Sequence, residues 1–332
     1  MRILVVKLSS LGDIAQALPA VRRIAARTGA TIDWVVQPEY ASLVAALPFV
    51  DTAIPFPRHR FLPGLPAFLL AVRRHRYDAV VDLQGLLKSA FAARCAPRRR
   101  GAKCYGPATA REGAGRFYHA APPLRSGPRP HSAREMLDVA DLLAPPPPDE
   151  APLPPLRMDL PPLPFESSDH TGPRIVFTPF SRWPTKDWPP DAFAAVGRRL
   201  CAEYGARIRI LGGPADVPAG QALAAATGSS VHNDCGRFSL LETCAVIADS
   251  DLLVGVDSGP LHWADALGIP LVAVYGATDP VRTGPFHQPE SVIAAESLPC
   301  RPCHKRECAR GDLACLATLS PDAVYLAACT RL

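Results

Sequence analysis

Lys7-Leu8-Ser9-Ser10-Leu11-Gly12-Asp13 follows directly on the apolar run Ile3-Leu4-Val5-Val6. Four aliphatic residues in a row predict a short buried strand, and the polar stretch predicts a tight loop with a helix beginning near Ile14. Such a loop puts Asp13 at the carboxyl end of a first parallel strand, where open α/β sheets carry their ligands. A carboxylate held there can accept a proton from an attacking hydroxyl. The competing reading is a cap, since Asp is favoured where a helix begins.

The same alternation runs outward from this stretch. Residues 3–6, 32–36 and 79–82 read as strands, and 14–27 and 68–75 as helices. Pro19 falls in the opening turns of the first expected helix, where proline costs least. Pro145-Pro146-Pro147-Pro148 then begins a proline-rich segment that continues to Pro164. Its preference for extended backbone makes it a link between domains or, alternatively, a long surface loop of one domain. Beyond it, residues 174–178, 207–211, 252–256 and 271–275 read as strands, with helices at 191–204, 217–226, 240–248 and 260–267. Alternation of this kind implies parallel strands with crossover helices. The expected fold class is α/β, with two doubly wound domains, 1–160 and 161–332, facing a central cleft. The last helix is a candidate to pack back on the first domain. No G-x-G-x-x-G follows the first strand, which weakens a hydride-transfer reading.

Composition narrows the function classes. Of 332 residues, 48% are hydrophobic and 20% charged, the balance of a globular chain with a large core. Thirty-six basic residues against 31 acidic give a net charge of +5, too balanced for a general nucleic-acid binder. Arginines nonetheless cluster at Arg73-Arg74-His75-Arg76 and at Arg94 with Arg98-Arg99-Arg100. They read either as solvated surface or as local contacts to anions. No secretory signal or spanning run is visible, so a cytoplasmic chain with reduced thiols is expected. Residues 61–72, Phe-Leu-Pro-Gly-Leu-Pro-Ala-Phe-Leu-Leu-Ala-Val, are apolar and run straight into the first arginine cluster. They read as a loop leading into a core-facing helix or as a segment lying on an anionic membrane surface.

Three further stretches carry chemistry. In Val254-Gly255-Val256-Asp257-Ser258-Gly259-Pro260-Leu261-His262 a strand ends and a helix begins, with Pro260 suited to its first turn. The amides of Ser258, Gly259 and Leu261 would make an anion site suited to a diphosphate. Asp257 could bond a sugar hydroxyl, and His262 a phosphate or sugar, although a lone histidine is often a core residue. Thr178-Pro179-Phe180-Ser181-Arg182-Trp183-Pro184-Thr185-Lys186-Asp187-Trp188-Pro189 also joins a strand to a helix. Ser181 and Thr185 offer hydroxyls there and Lys186 a point charge for a phosphate. Trp188 is expected to pack against the helix that follows. Asp82-Leu83-Gln84-Gly85-Leu86-Leu87-Lys88-Ser89 leaves a third strand and reads as a site loop or as an ordinary turn around Gly85.

Taken in order, these stretches, with Tyr275-Gly276-Ala277-Thr278-Asp279-Pro280, resemble the lipopolysaccharide heptosyltransferases of glycosyltransferase family 9. The first two motifs and Asp33-Trp34-Val35-Val36 look more like type I than type II. The resemblance implies a GT-B fold of two Rossmann-like domains, the first binding the acceptor and the second the nucleotide sugar. It implies inverting transfer of L-glycero-D-manno-heptose from ADP-heptose to Kdo of lipid A, with no cofactor required for catalysis. Carried onto this chain, Asp13 becomes the general base. Ser181, Thr185, Lys186, Asp257, Ser258, Gly259 and His262 bind the donor, and Ser10, Gln84 and Lys88 face the acceptor. The enzyme would sit peripherally on the cytoplasmic face of the inner membrane and bind no nucleic acid. The alternatives are a family 9 transferase with another nucleotide sugar or a protein acceptor and, more distantly, a non-catalytic metal-containing nucleic-acid-binding protein.

Cys300, Cys303, Cys308 and Cys315 are spaced C-x2-C-x4-C-x6-C among ten cysteines. Four thiols so close in a reducing compartment make structural zinc or iron the candidate occupant, outside the chemistry. Reduced buried thiols or a disulfide are the alternatives. The spacing is shorter than in common zinc modules.

Overall fold

The computed structural model describes every residue except 59–60, 126–128, 166–170 and 296–297. The chain divides into two units, Met1–Asp159 and Leu160–Leu332, each built on its own parallel sheet.

The first unit runs β1 (Arg2–Val6), α1 (Leu11–Thr28), β2 (Thr31–Val36), α2 (Ala41–Ala45), β3 (Val50–Pro55), α3 (Phe61–Val72), β4 (Tyr77–Asp82), α4 (Leu87–Cys95), β5 (Arg98–Tyr105) and α5 (Ser132–Leu143). Its strand order is β3-β2-β1-β4-β5, with every pairing parallel. The chain winds outward from β1 to β3 and then returns to the other side of β1. Loops leaving the carboxyl ends of β1 and β4 therefore part from each other, and that is where such sheets hold ligands.

The second unit runs β6 (Arg174–Thr178), α6 (Pro190–Tyr204), β7 (Arg207–Ile210), α7 (Val217–Thr227), β8 (Val231–Asn233), α8 (Leu240–Ala248), β9 (Leu252–Val256), α9 (Gly259–Leu267), β10 (Leu271–Tyr275), α10 (Pro280–Thr283), β11 (Val292–Ala294), α11 (Ala314–Ala317) and α12 (Pro321–Cys329). The order is β11-β10-β9-β6-β7-β8, again parallel throughout. Winding reverses between β6 and β9, so the loops after these two strands flank the second switch point.

Central strands are buried on both faces, as the near-continuous Ile, Leu and Val of β1, β9 and β10 require. The last helix, α12, packs into the core of the second unit through Val324, Tyr325 and Ala328. Tyr325 donates to Glu203 of α6.

Several local expectations change. Helix α1 begins at Leu11, three residues early, because Ser10 caps it and its backbone N–H donates to Asp13. Pro19 therefore lies in the middle of α1 rather than in its opening turns, and the helix forgoes one backbone bond there. Arg98-Arg99-Arg100 open β5, an edge strand that tolerates charge on its outer positions. Much of the proline-rich segment is strapped to the first unit. Arg27 holds Glu150 through two bonds of 2.7 and 2.6 Å, and Arg22 and Arg23 donate to the carbonyls of Pro154 and Ala151. The boundary after Asp159 thus falls near the end of that segment.

Candidate active site

In the first unit, the loop after β1 is built by local bonds. Ser10 donates to Oδ2 of Asp13 twice, from its backbone N–H at 2.8 Å and its hydroxyl at 2.7 Å. Asp13 is thus a capping residue, as the alternative reading held, but the cap occupies one carboxylate oxygen. The other, Oδ1, lies 3.8 Å from the ammonium of Lys7, and the Asp13 side chain is 47% exposed. Lys7 itself is buried at the end of β1. The Asp13 carboxylate is thus pinned through Oδ2, half-exposed and beside a cation.

The loop after β4 supports the first. Oε1 of Gln84 accepts from the amides of Leu8 and Ser9 at 3.1 and 3.3 Å, so Gln84 holds the backbone that leads to Asp13. Asp82 is fully buried and anchors this second loop. It accepts from the Gln84 amide at 2.8 Å, the Ser89 hydroxyl at 2.8 Å and the Tyr118 hydroxyl at 2.7 Å. Burial pushes its carboxyl above the ordinary range against those bonds. Gly85 sits at φ +70°, and a Cβ there would come within 2.7 Å of Pro107. Lys88 lies in the first turn of α4, half-buried.

In the second unit, the loops after β6, β9 and β10 meet at Asp257. Its Oδ2 lies 2.8 Å from the ammonium of Lys186 and accepts from the Thr278 hydroxyl at 2.7 Å. Its Oδ1 is 3.3 Å from Nε2 of His262 and accepts from the Tyr275 hydroxyl at 3.3 Å. Burial alone would raise this carboxyl, but His262 and Lys186 hold it well below the usual carboxylate range. Both oxygens of Asp257 are therefore committed to protein groups, and its evident work is to hold Lys186 and His262 in place.

Helix α9 starts beside this cluster. Ser258 is its N-cap, Gly259 its first residue, and Pro260 occupies its first turn. The Ser258 hydroxyl oxygen is buried without a hydrogen-bond partner. An orphaned hydroxyl at a helix N-terminus suits an incoming anion. Lys186 also lies 4.9 Å over the ring of Trp183, with the Arg306 guanidinium 5.4 Å from the same ring. Ser181 bonds locally to the backbone of Trp183, and Thr185 is buried and donates to the carbonyl of Lys305 at 2.6 Å. Trp188 packs edge-on to Phe193 of α6, ring centroids 5.1 Å apart.

The structure thus gathers Lys186, Asp257, Ser258, Gly259 and His262, and in the other unit Ser10, Asp13 and Gln84. Four participants carried no role in the sequence reading: Lys7, Tyr118, Tyr275 and Thr278. Lys7, Tyr275 and Thr278 all sit at or just past the end of a buried strand, within stretches the sequence reading quoted without giving these residues a role.

The four clustered cysteines line one cavity of about 270 Å³ together with Thr185 and Ala277. Among the described residues, no three His, Cys, Asp or Glu side chains are grouped so as to hold a metal ion. The expectation of zinc or iron gains no support. Cys308 is instead turned to its own loop, whose amides from Leu313, Arg310 and Gly311 lower its thiol below the ordinary value.

Comparison with known proteins identifies the family. The model of glycosyltransferase family 9 (heptosyltransferase) matches residues 67–314. Lipopolysaccharide heptosyltransferase 1 of Pseudomonas aeruginosa is 31% identical over 323 residues, covering 93% of this chain and 87% of that protein. Its namesake in Escherichia coli K12 is 29% identical over 310 residues, covering 89% and 94%. A solved structure of E. coli heptosyltransferase WaaC with ADP superposes over 100% of both chains with a TM-score of 0.76 and 25% identity.

Proposed function

Because the chain belongs to glycosyltransferase family 9, we propose that it is a heptosyltransferase of the lipopolysaccharide core, moving L-glycero-D-manno-heptose from ADP-heptose to Kdo of lipid A. The observation that carries this reading is the cluster at the second switch point. A cation, Lys186, is held by a buried carboxylate beside the N-terminus of α9 with its unpartnered Ser258 hydroxyl. That combination suits a diphosphate whose charge grows as it leaves.

The second unit takes the donor. Lys186, His262, Ser258 and the Gly259 amide contact its phosphates, Asp257 orients the first two, and Ser181 and Thr185 shape the loop around them. The first unit takes the acceptor, with Ser10 and Lys88 beside it and Gln84 supporting the loop of Asp13. Asp13 removes the proton of the attacking Kdo hydroxyl through Oδ1. The hydroxyl oxygen bonds to the anomeric carbon from the face opposite the diphosphate. The bond from that carbon to the diphosphate oxygen breaks, and ADP departs with the electron pair. One displacement inverts the anomeric centre. The acceptor is a lipid, so the enzyme works at the cytoplasmic face of the inner membrane as a peripheral protein. Among the described residues, no helix is long and apolar enough to cross a membrane.

The test is transfer from ADP-heptose to Kdo-lipid A, with Asp13→Asn and Lys186→Ala beside the unchanged chain. Asp13→Asn should keep its affinity for ADP and lose about 10²- to 10⁴-fold in turnover. Lys186→Ala should bind ADP more weakly and turn over more slowly. Equal turnover by Asp13→Asn removes that carboxylate from the chemistry. Transfer from a different nucleotide sugar, or to a protein acceptor, overturns the substrate assignment while leaving the family intact. An oligonucleotide should not compete with ADP.

A further inference from the structure

Helix α3 presents a face for which the first unit supplies no cover. All twelve of its residues, Phe61–Val72, are apolar, yet only Phe68 and Val72 are buried. Leu62, Pro63, Pro66, Ala67 and Leu70 are exposed, with Leu62 and Leu70 each at 78%. At 100° per residue these positions form one outward stripe. Arg73 and Arg74 continue the stripe beyond the helix, and the exposed Arg58 precedes it. Helix α4 repeats the pattern beside it: Leu87 and Phe91 are exposed, and exposed Arg94 follows one turn later. The two helices join through Phe61 and Phe91, whose ring centroids are 5.7 Å apart, and at their far ends through Arg73, which donates to the Cys95 carbonyl at 3.4 Å.

The charge around this face is mostly of one sign, with Glu112, which accepts from the Leu87 amide at 3.1 Å, an acidic exception at the start of α4. No acidic residue occurs from 52 to 77 or from 83 to 111, whereas those stretches include Arg58, Arg73, Arg74, Arg76, Arg94 and Lys103. A core-facing helix would bury its apolar stripe and expose polar groups. Here the stripe points outward and ends in guanidinium groups, the arrangement of an interfacial helix on anionic lipid. We propose that the outward face of α3 and α4 is the surface by which this protein docks on an anionic bilayer. Leu62, Leu70 and Phe91 enter the acyl boundary while the arginines stay among the headgroups. The inference deepens the proposed function, resting on the reading that the acceptor is a membrane lipid.

The experiment is co-sedimentation of the full chain with phosphatidylcholine vesicles containing about one third phosphatidylglycerol, against vesicles of phosphatidylcholine alone. The expected result is partition into the anionic vesicles. Leu62→Ser/Leu70→Ser should lower it about tenfold or more at any salt concentration. Arg73→Gln/Arg74→Gln should lower it about fivefold per arginine, an effect that shrinks in high salt. Both pairs are exposed, so each variant should keep its affinity for ADP, and the leucine pair its melting temperature as well. Binding that survives the leucine pair overturns the assignment of this face. A wild-type dimer that the leucine pair turns into monomer overturns the bilayer as its occupant. Activity on detergent-dispersed acceptor reads the proposed function separately: full activity without vesicle binding refutes only the docking, and vesicle binding without activity refutes only the chemistry.

Discussion

Replacing Asp257 by Asn tests the centre of the candidate donor site. The substitution keeps the shape of the side chain but removes the charge that faces Lys186 at 2.8 Å and His262 at 3.3 Å. An amide has one accepting oxygen, so it cannot serve the four donors the carboxylate now serves, and its NH₂ must face at least one of them. Breaking a buried ion pair by removing one partner costs about 3–5 kcal/mol. The Lys186 side chain keeps 18% exposure, so the lower end, about 3 kcal/mol, is the expected loss. For a unit of this size that lowers the melting temperature by about 6–12 °C. The pH dependence has a definite sign. The folded-state pKa of Asp257 lies below its unfolded value. Its contribution is therefore complete above about pH 5 and is lost as the pH falls through the folded-state value. The gap between wild type and Asp257→Asn should narrow in acid, as the pH falls through that folded-state value. Calorimetry of wild type, Asp257→Asn, Lys186→Met and the double variant supplies the cycle. If Asp257→Asn melts within about 1 °C of wild type, or the two losses simply add, the carboxylate does not hold the lysine and the reasoning fails.

Gly85→Ala should destabilise the first unit by about 1–2 kcal/mol or more, since it forces a Cβ onto a left-handed residue and against Pro107. Thermal melting checks it, and Gly29→Ala, where a Cβ meets nothing within 4 Å, gives the cost of the backbone conformation alone. Iodoacetamide should modify Cys308 ahead of Cys104, Cys235 and Cys244. Loop amides lower the first thiol, and burial pushes each of the others up to about 12. Peptide mapping after a short exposure near pH 7 reads the order, and labelling of the buried three first contradicts it.

The positions of strands were legible because a strand buried on both faces is a run of aliphatic residues, and β1, β9 and β10 are such runs. Edge elements were not. Strand β5 opens with three arginines and β8 has three residues, so neither carries the apolar signal of a central strand. Helix α3 was anticipated only from residue 68, because prolines at 63 and 66 argue against helix; Pro63 falls in the first turn, where proline is tolerated, whereas Pro66 lies inside the helix.

The sequence by itself determined where the central strands end, and hence that Asp13, Asp82, Lys186 and Asp257 lie at or beyond the carboxyl ends of those strands. That much follows from local pattern, because hydrophobic periodicity reports burial along one segment at a time. What each side chain does there depended on partners far away in the chain. Gln84 turned out to brace the amides of Leu8 and Ser9, and Asp257 to bond groups from three other elements rather than stand open to a ligand. Hydrogen bonds and ion pairs act over about 3 Å, and only the winding order of the two sheets brings residues 76 or 71 positions apart within that reach.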